Sequence, residues 1–395
     1  MAASPPAPAP PIDGVTDPRF EPVREAFHAN FAAHDEVGAA VAVHVGGRCV
    51  VDLWGGFQDE ARTRPWERDT LVNSYSVGKG ITSILVLTLA GRGRLDPDAP
   101  MAATWPEFAA GGKEKITLRE VLAHQGGMAA FREPLRDEDL KDWPKLTASL
   151  AAQEPWWEPG TAHGYHVNTH GFLTGEMARR AAGAPSFRRA LREHLAGPLD
   201  AEVHIGLPLY AHRRCAQIVG GSTEPIADPE SVREFVVPQG GDPAFDEMRF
   251  RAYFNPRSIA GVGVVNSSWW RSIEVPSTNG HMTARGVAAI YAATLTGTLL
   301  PNSLLADACA TQAEGTDMVL NRPTRFGLGF QLPQENRKIG PNPRAFGHFG
   351  YGGSLGFADP DADLAFAYVM NRPGERWQSP RANALIEAAY ACLEA

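Results

Sequence analysis

The sequence predicts an α/β protein of the α+β type, with one antiparallel sheet built from both chain ends and flanked by helices. Two observations predict it: β-rich runs cluster near the start and the end, and the middle holds mostly helical patterns and loops. The 395 residues, 44% hydrophobic and 21% charged, suit a globular protein of about two domains. We expect a disordered Ala/Pro-rich lead-in at 1–15, an α/β domain from 16–95 and 260–395, and a mostly helical domain at 96–259.

The first elements after the lead-in are a helix and a hairpin. Asp17-Pro18 is typical of a helix start, and apolar residues then recur near helical spacing. Residues 41–45 and 49–54 are two β-rich runs joined at Gly46-Gly47. Because glycine adopts positive φ freely, this junction predicts a tight hairpin.

The rest of the chain alternates helical patterns with loops before it returns to strands. Residues 220–258 are rich in Pro and Gly and are expected to form irregular loops. The segments with helical spacing are 117–124, 169–182, 283–295 (with Thr283 as N-cap) and 382–393. The segments expected to be strands are 346–349, 354–358 and 364–370.

Charge and composition exclude several classes of protein. A net charge of −8 argues against nucleic-acid binding, which needs a basic surface. No apolar run is long enough to span a bilayer, and the Ala/Pro-rich start lacks the features of a secretory signal. The four cysteines are too far apart for a zinc motif and favour a reducing compartment: Cys49, Cys215, Cys309 and Cys392. We therefore expect a cytoplasmic protein without nucleic-acid or membrane partners.

The first candidate for chemistry is Ser76-Val77-Gly78-Lys79, which opens a helix that is apolar over 81–92. Serine and lysine three residues apart face the same way, and a lysine whose charge is disfavoured can deprotonate the serine. The helix N-terminus favours an oxyanion at the same place. The pattern also arises by chance, as a capping serine followed by a surface lysine. The apolar helix favours the catalytic interpretation, because it is expected to be buried and a lysine on the first turn of a buried helix is unusual without a function.

The second candidate is the segment 163–170, which holds Tyr165 and three histidines. A tyrosine can act as a general base when nearby lysines stabilise its phenolate form. His163, His166 and His170 raise the alternative of a metal site, since one helical face can present such spacings. No His-Glu-x-x-His occurs and acidic residues are distant, so we expect packing histidines and no bound metal.

The third candidate is the glycine-rich run 348–356. It contains Gly-x-Ser-x-Gly at 352–356, the nucleophile-elbow pattern of α/β-hydrolases. That fold is excluded because its histidine follows the serine in the chain, whereas no histidine occurs after His348. We expect a glycine-rich edge strand that lets a substrate approach the backbone closely.

Taken in this order, the three segments resemble the serine β-lactamase and penicillin-binding-protein superfamily, and most of all the class C β-lactamase-like esterases known as family VIII carboxylesterases. Ser76-Val77-Gly78-Lys79 matches the nucleophile motif, Tyr165 the Tyr-x-Asn motif, and His348-Phe349-Gly350 the Lys-Thr-Gly triplet. Secondary matches lie at 122–128, 279–285 and 356–360, so the likeness covers roughly 20–395. The resemblance implies a β-lactamase/transpeptidase-like fold.

The resemblance implies a cofactor-free serine hydrolase acting on a small-molecule ester or amide. Ser76 would be the nucleophile, and Lys79 and Tyr165 would share the general-base and general-acid work in an order that sequence leaves open. The backbone N–H groups of Ser76 and Tyr351 would form the oxyanion hole. His348 would orient Tyr165 or the substrate, and Gly350 would border the substrate. Five tryptophans are candidates either for an apolar acyl or alcohol pocket or for core packing: Trp54, Trp156, Trp157, Trp269 and Trp270.

Two departures from the lactamase pattern bear on the substrate. Val167 stands where the family has asparagine, with Asn168 one residue late, and His348 replaces the lysine that holds a substrate carboxylate. These changes favour uncharged esters or amides over penicillins. The alternatives left open are an acyltransferase that passes the acyl group to an amine or alcohol, a β-lactamase/D-Ala peptidase-like amide hydrolase, and a non-catalytic module. The oligomeric state is also open.

Overall fold

The structure is organised around strands contributed by both ends of the chain. In the computed structural model, which describes residues 10–375 and 377–394, the strands are β1 Ile12–Thr16, β2 Gly38–Val45, β3 Arg48–Gly56, β4 Val72–Asn73, β5 Val203–Ile205, β6 Gly280–Met282, β7 Ala313–Thr316, β8 Pro323–Phe326, β9 Phe346–Phe349, β10 Leu355–Asp359 and β11 Leu364–Met370. Six of them form the main sheet in the order β1-β3-β2-β11-β10-β9. Every pairing in it is antiparallel. The predicted fold class and a sheet built from both ends are confirmed.

The helices pack against this sheet or fill the middle of the chain. Their bounds are α1 Glu21–Ala33, α2 Val77–Gly91, α3 Leu118–Leu122, α4 Trp143–Ala152, α5 Thr169–Ala182, α6 Phe187–Leu191, α7 Arg233–Val236, α8 Asp246–Phe254, α9 Ser268–Ser272, α10 Ala284–Leu295, α11 Asn302–Cys309 and α12 Pro380–Glu394. Thr283 caps α10 as predicted, its side chain accepting from the Gly286 N–H. Across residues 10–375 and 377–394, no helix has both the length and the apolar character needed to cross a bilayer.

Strand β2 shows how the sheet separates two hydrophobic cores. Side chains alternate between the two faces of a strand. Ala39, Val41 and Val43 join a core with α1 and α12, whereas Ala40 and Ala42 join a larger core with α2 and α10. The sheet therefore lies between two helical layers, and α2 lies on the side of the larger core.

Two sequence expectations need correction. The lead-in is not disordered throughout: residues 12–15 belong to β1, which pairs with β3 at the sheet edge. Residues 1–9 lie outside the described residues. The segment 220–258 contains α7 and α8 and is not wholly irregular.

The domain bounds 16–95, 96–259 and 260–395 stay a prediction. The larger core joins apolar side chains of α2, α5 and α10, which come from all three of these segments. The two proposed domains thus share one continuous hydrophobic core.

Candidate active site

Helix α2 places Ser76 and Lys79 in the interior. Its residues from Val77 to Leu89 are all buried, so its apolar run is packed all round. Ser76 directly precedes the helix, is 8% exposed and makes no side-chain cap bond, so the capping interpretation of the serine does not hold. Tyr75 before it has φ +48°, a left-handed conformation that is strained for a tyrosine.

Two donors converge on the Ser76 hydroxyl. Lys79 Nζ lies 3.1 Å from Ser76 Oγ, and the Tyr165 hydroxyl donates to the same oxygen at 3.0 Å. Lys79 Nζ also lies 4.8 Å from the centre of the Tyr165 ring. The structure thus brings the three predicted residues into one hydrogen-bonded group, although Tyr165 is 89 residues from Ser76.

A main-chain carbonyl also binds Lys79. The lysine Nζ donates to Ser277 O at 3.0 Å, and the Gly171 N–H of α5 donates to Ser277 Oγ at 2.8 Å. The segment Pro276-Ser277 lies between two glycines at very short range. A Cβ on Gly78 would be 2.3 Å from Pro276 O, and one on Gly171 would be 2.5 Å from Ser277 N. Only glycine at both positions lets this segment reach Lys79.

Tyr165 is bound by a hairpin from the far end of the sequence. Both oxygens of the Asp317 carboxylate accept from the Tyr165 N–H at 3.0 Å. The Phe326 ring on β8 stacks on the Tyr165 ring, with an interplanar angle of 3° and centroids 6.1 Å apart. Burial raises the pKa of Asp317, while the N–H donors around it oppose this shift.

Two of the three predicted histidines, His166 and His170, pack against His124. Rings of His166 and His170 lie 5.5 and 4.7 Å from that of His124, whereas His163 binds Thr324 instead. Burial lowers the pKa of His166 to about 4, and it lowers those of His124 and His170 well below 6.5. Among the described residues, no group of three His, Cys, Asp or Glu side chains is arranged to hold a metal ion.

His348 lies beside Tyr165 and is fully buried. The two rings are 6.0 Å apart, and His348 Nδ1 lies 2.8 Å from the Phe349 carbonyl oxygen. A carbonyl only accepts, so Nδ1 carries a proton in this contact. His348 therefore faces the tyrosine rather than an open surface.

Gly350 and Tyr351 border the loop that carries the serine. A Cβ on Gly350 would lie 2.3 Å from Ser74 O, so only glycine fits here. The Tyr351 ring is 57% exposed and packs edge-on against Tyr75 at 5.3 Å. The chain at 350–351 thus runs next to the Tyr75-Ser76 turn, as an oxyanion role requires.

Asn168 does not take the place of the family's asparagine. Its Nδ2 donates to Ala252 O, and its Oδ1 accepts from the Thr278 hydroxyl. Asn168 therefore ties α8 to the segment before β6, and its polar atoms are used in structural contacts.

Only two of the five candidate tryptophans lie with Tyr165. Trp157 is buried in the same hydrophobic cluster as Tyr165, and Trp156 packs on that cluster. Trp270 is buried and donates to Asn73, while Trp54 and Trp269 pack on the larger core. Of the five, Trp156 and Trp157 therefore stay the candidates for an apolar wall beside Tyr165.

Sequence reasoning missed three groups that touch the site: the Ser277 carbonyl, Asp317 and Phe326. A main-chain carbonyl has no residue signature, so nothing in the sequence marks Ser277. Asp317 and Phe326 are 152 and 161 residues from Tyr165 and belong to none of the matched motifs. His124 lies in the secondary match at 122–128, which gave a weak signal for it.

Known proteins resemble this chain over most of its length. The family model "Beta-lactamase" matches residues 23–391. The esterase/beta-lactamase LipL of Mycobacterium tuberculosis is 33% identical over 382 residues, which cover 91% of this chain and 83% of LipL.

Two solved structures are also similar over 97% of this chain and all of theirs. One is a family VIII carboxylesterase, with a TM-score of 0.84 and 39% identity. The other is a penicillin-binding protein homolog from Caulobacter crescentus, with a TM-score of 0.84 and 37% identity. Since the family model and these likenesses extend over nearly the whole sequence and include the Ser76, Lys79 and Tyr165 segments, the chain belongs to the beta-lactamase family.

Proposed function

We propose that this protein is a serine hydrolase that cleaves carboxylic esters through an acyl-enzyme on Ser76. The observation that carries the proposal is the convergence of Lys79 Nζ and the Tyr165 hydroxyl on Ser76 Oγ, at 3.1 and 3.0 Å. A nucleophile within reach of a proton acceptor is what acyl transfer needs. The names of LipL and of the family VIII carboxylesterase support ester substrates.

In the proposed acylation, Ser76 Oγ attacks the ester carbonyl carbon. Its proton passes to an unprotonated Lys79 or to the Tyr165 phenolate, both of which are within hydrogen-bond distance. The carbonyl oxygen becomes an oxyanion held by the N–H groups of Ser76 and Tyr351. When the tetrahedral intermediate collapses, the C–O bond to the alcohol breaks and the alcohol oxygen takes up the proton.

Deacylation repeats these steps with water as the nucleophile. A water gives its proton to the same Lys79–Tyr165 pair while its oxygen bonds to the acyl carbon. The Ser76–acyl bond then breaks, Ser76 recovers the proton and the carboxylic acid leaves. Lys79 and Tyr165 therefore return to their starting state after each turnover.

The histidines favour substrates without charge. His124 and His170 have pKa values far below neutrality because of burial, and Lys79 is among the charges that lower them. They are neutral at pH 7 and add no cation beside Lys79. With His348 where the lactamases have lysine, the site has a weaker hold on a substrate carboxylate. Uncharged short esters are the proposed substrates.

The test is Ser76→Ala assayed with a panel of neutral esters, carboxylate-bearing esters, amides and lactams, with products identified. Wild type should hydrolyse the neutral esters fastest, and Ser76→Ala should turn over none. The variant should stay folded, since the lost hydrogen bonds are worth about 1–2 kcal/mol of unfolding free energy. Full esterase activity in Ser76→Ala would refute the proposal. Adding an amine acceptor tests acyl transfer, for which the acylated amine is the diagnostic product.

A further inference from the structure

We propose that Asp317 is a positioning residue that fixes Tyr165, and that the hairpin of β7 and β8 acts as a clamp on this tyrosine. Asp317 lies in the turn between the two strands and is fully buried. The inference rests on the proposed function, since it concerns how Tyr165 is held for proton transfer at Ser76.

The first observation is that both oxygens of the Asp317 carboxylate accept several hydrogen bonds. Besides the Tyr165 N–H, Oδ1 accepts from the N–H groups of Val319 and Leu320, both at 2.9 Å. Oδ2 accepts from the Thr324 hydroxyl at 3.1 Å. A buried carboxylate costs several kcal/mol unless donors satisfy it, so its position is fixed by this whole set. The same carboxylate therefore fixes both the main chain of Tyr165 and the turn between β7 and β8.

The second observation is that the same hairpin holds the tyrosine ring. Phe326, at the end of β8, stacks almost parallel to the Tyr165 ring. Asp317 fixes the main chain of Tyr165, and Phe326 fixes the plane of its side chain. The phenol at the far end of that side chain is then aimed at Ser76 Oγ.

A third contact ties the preceding loop to the hairpin. Thr324 gives its one hydroxyl proton to Asp317, so it must accept from the Nε2–H of His163, which lies 2.8 Å away. The Met318 N–H also donates to His163 O at 2.9 Å. Both His163 and Tyr165 are thus bound by the same turn, and a shift of the turn would move both.

The contacts assign Asp317 a positioning role rather than a role in proton transfer. Its carboxylate binds the main-chain N–H of Tyr165, whereas the phenol donates to Ser76. In Asp317→Asn, the amide NH2 would face N–H donors where an acceptor stood, so the turn must rearrange. A displacement of about 1 Å at a reacting group costs roughly 100-fold in rate. We expect kcat to fall about 10- to 100-fold, with KM changed less than about threefold.

The experiment compares Asp317→Asn with Asp359→Asn. Asp359 is a matched control, because it is also fully buried and accepts from backbone and side-chain donors, but it lies at the end of β10. Activity on a short neutral ester, the rate at which a fluorophosphonate labels Ser76 and the unfolding free energy are measured for both. Only Asp317→Asn should lower kcat and slow labelling. A wild-type kcat in folded Asp317→Asn, or an equal fall in Asp359→Asn, would overturn the inference.

A second arm separates positioning from general destabilisation. If Asp317 acts through Tyr165, Asp317→Asn should lower the labelling rate by less than about threefold when Tyr165 is already phenylalanine. If Asp317→Asn slows labelling as much in the Tyr165→Phe background as it does in the wild-type background, the inference is overturned. Should Asp317→Asn not fold, Thr324→Val removes one donor to the carboxylate, and the same comparison applies. Ester hydrolysis by Ser76→Ala would contradict the proposed function itself. If Ser76→Ala is inactive but Asp317→Asn has the activity of wild type, only the inference about Asp317 is contradicted.

Discussion

Gly171→Ala tests whether the spacing of the segment Pro276-Ser277 controls the position of Lys79. The new Cβ would lie 2.5 Å from Ser277 N and 2.8 Å from Ser277 Oγ. An ordinary contact is about 3.5 Å, so the segment must move by about 1 Å. Ser277 O, which accepts from Lys79 Nζ at 3.0 Å, would move with it.

The expected loss follows from that displacement. A misplacement of about 1 Å is worth roughly 100-fold in rate, or about 2.7 kcal/mol of activation free energy. Overpacking should also lower the unfolding free energy by about 1–3 kcal/mol, which leaves the protein folded.

The assay combines steady-state ester hydrolysis with urea unfolding, and Gly183→Ala is the matched control. Gly183 ends the same helix with φ +64°, and a Cβ added there would have no neighbouring atom within 4 Å. Alanine there should cost about 1 kcal/mol of stability through its left-handed conformation but leave kcat unchanged. A folded Gly171→Ala that keeps kcat within about threefold of wild type would contradict this prediction, and so would an equal loss in Gly183→Ala.

Three further predictions concern the catalytic pair, a buried histidine and metal independence. Lys79→Ala and Tyr165→Phe should each lower kcat/KM at least about 1000-fold, which is about 4 kcal/mol of activation free energy. Combining them should lower kcat/KM less than tenfold further, because both side chains act on the same Ser76 oxygen. Additive losses in a double-mutant cycle would contradict this. The folded pKa of His166, about 4, lies below its unfolded value, so the stability is complete above pH 6.5 and falls by up to about 3 kcal/mol toward pH 4. Urea unfolding across this range checks it, and a flat profile would count against it. A chelator should leave ester hydrolysis unchanged, and loss of activity that zinc restores would show a metal site.

Local spacing made part of the site predictable. Ser76 and Lys79 are three residues apart on one helix, so their pairing follows from helix geometry alone. Tyr165 needed the family resemblance, because a contact across 89 residues leaves no local pattern. Asp317 binds a main-chain N–H and Lys79 Nζ binds a main-chain carbonyl, and such partners exist at nearly every residue. Which main-chain groups Asp317 and Lys79 bind is therefore determined by the fold.

The fold class was predictable because strand and helix periods differ and the ends of the chain show both. The edge strand β1 was missed because it follows an Ala/Pro-rich stretch and buries little. Its residues are all partly or fully exposed, so it is held mainly by backbone pairing with β3. Backbone pairing of this kind leaves no signal in the amino-acid composition. The helix α8 was missed because its residues are polar and apolar without a clear stripe along one face.

The position of β11 sets when the sheet can be completed during synthesis. β11 pairs with β2, and Leu364 meets Val45 although 319 residues separate them. While the ribosome makes the intervening chain, the apolar β2 edge has no partner strand and is open to association with other nascent chains. The sheet closes only after translation has passed residue 370, so yield in a heterologous host should depend on chaperone supply and on the rate of elongation.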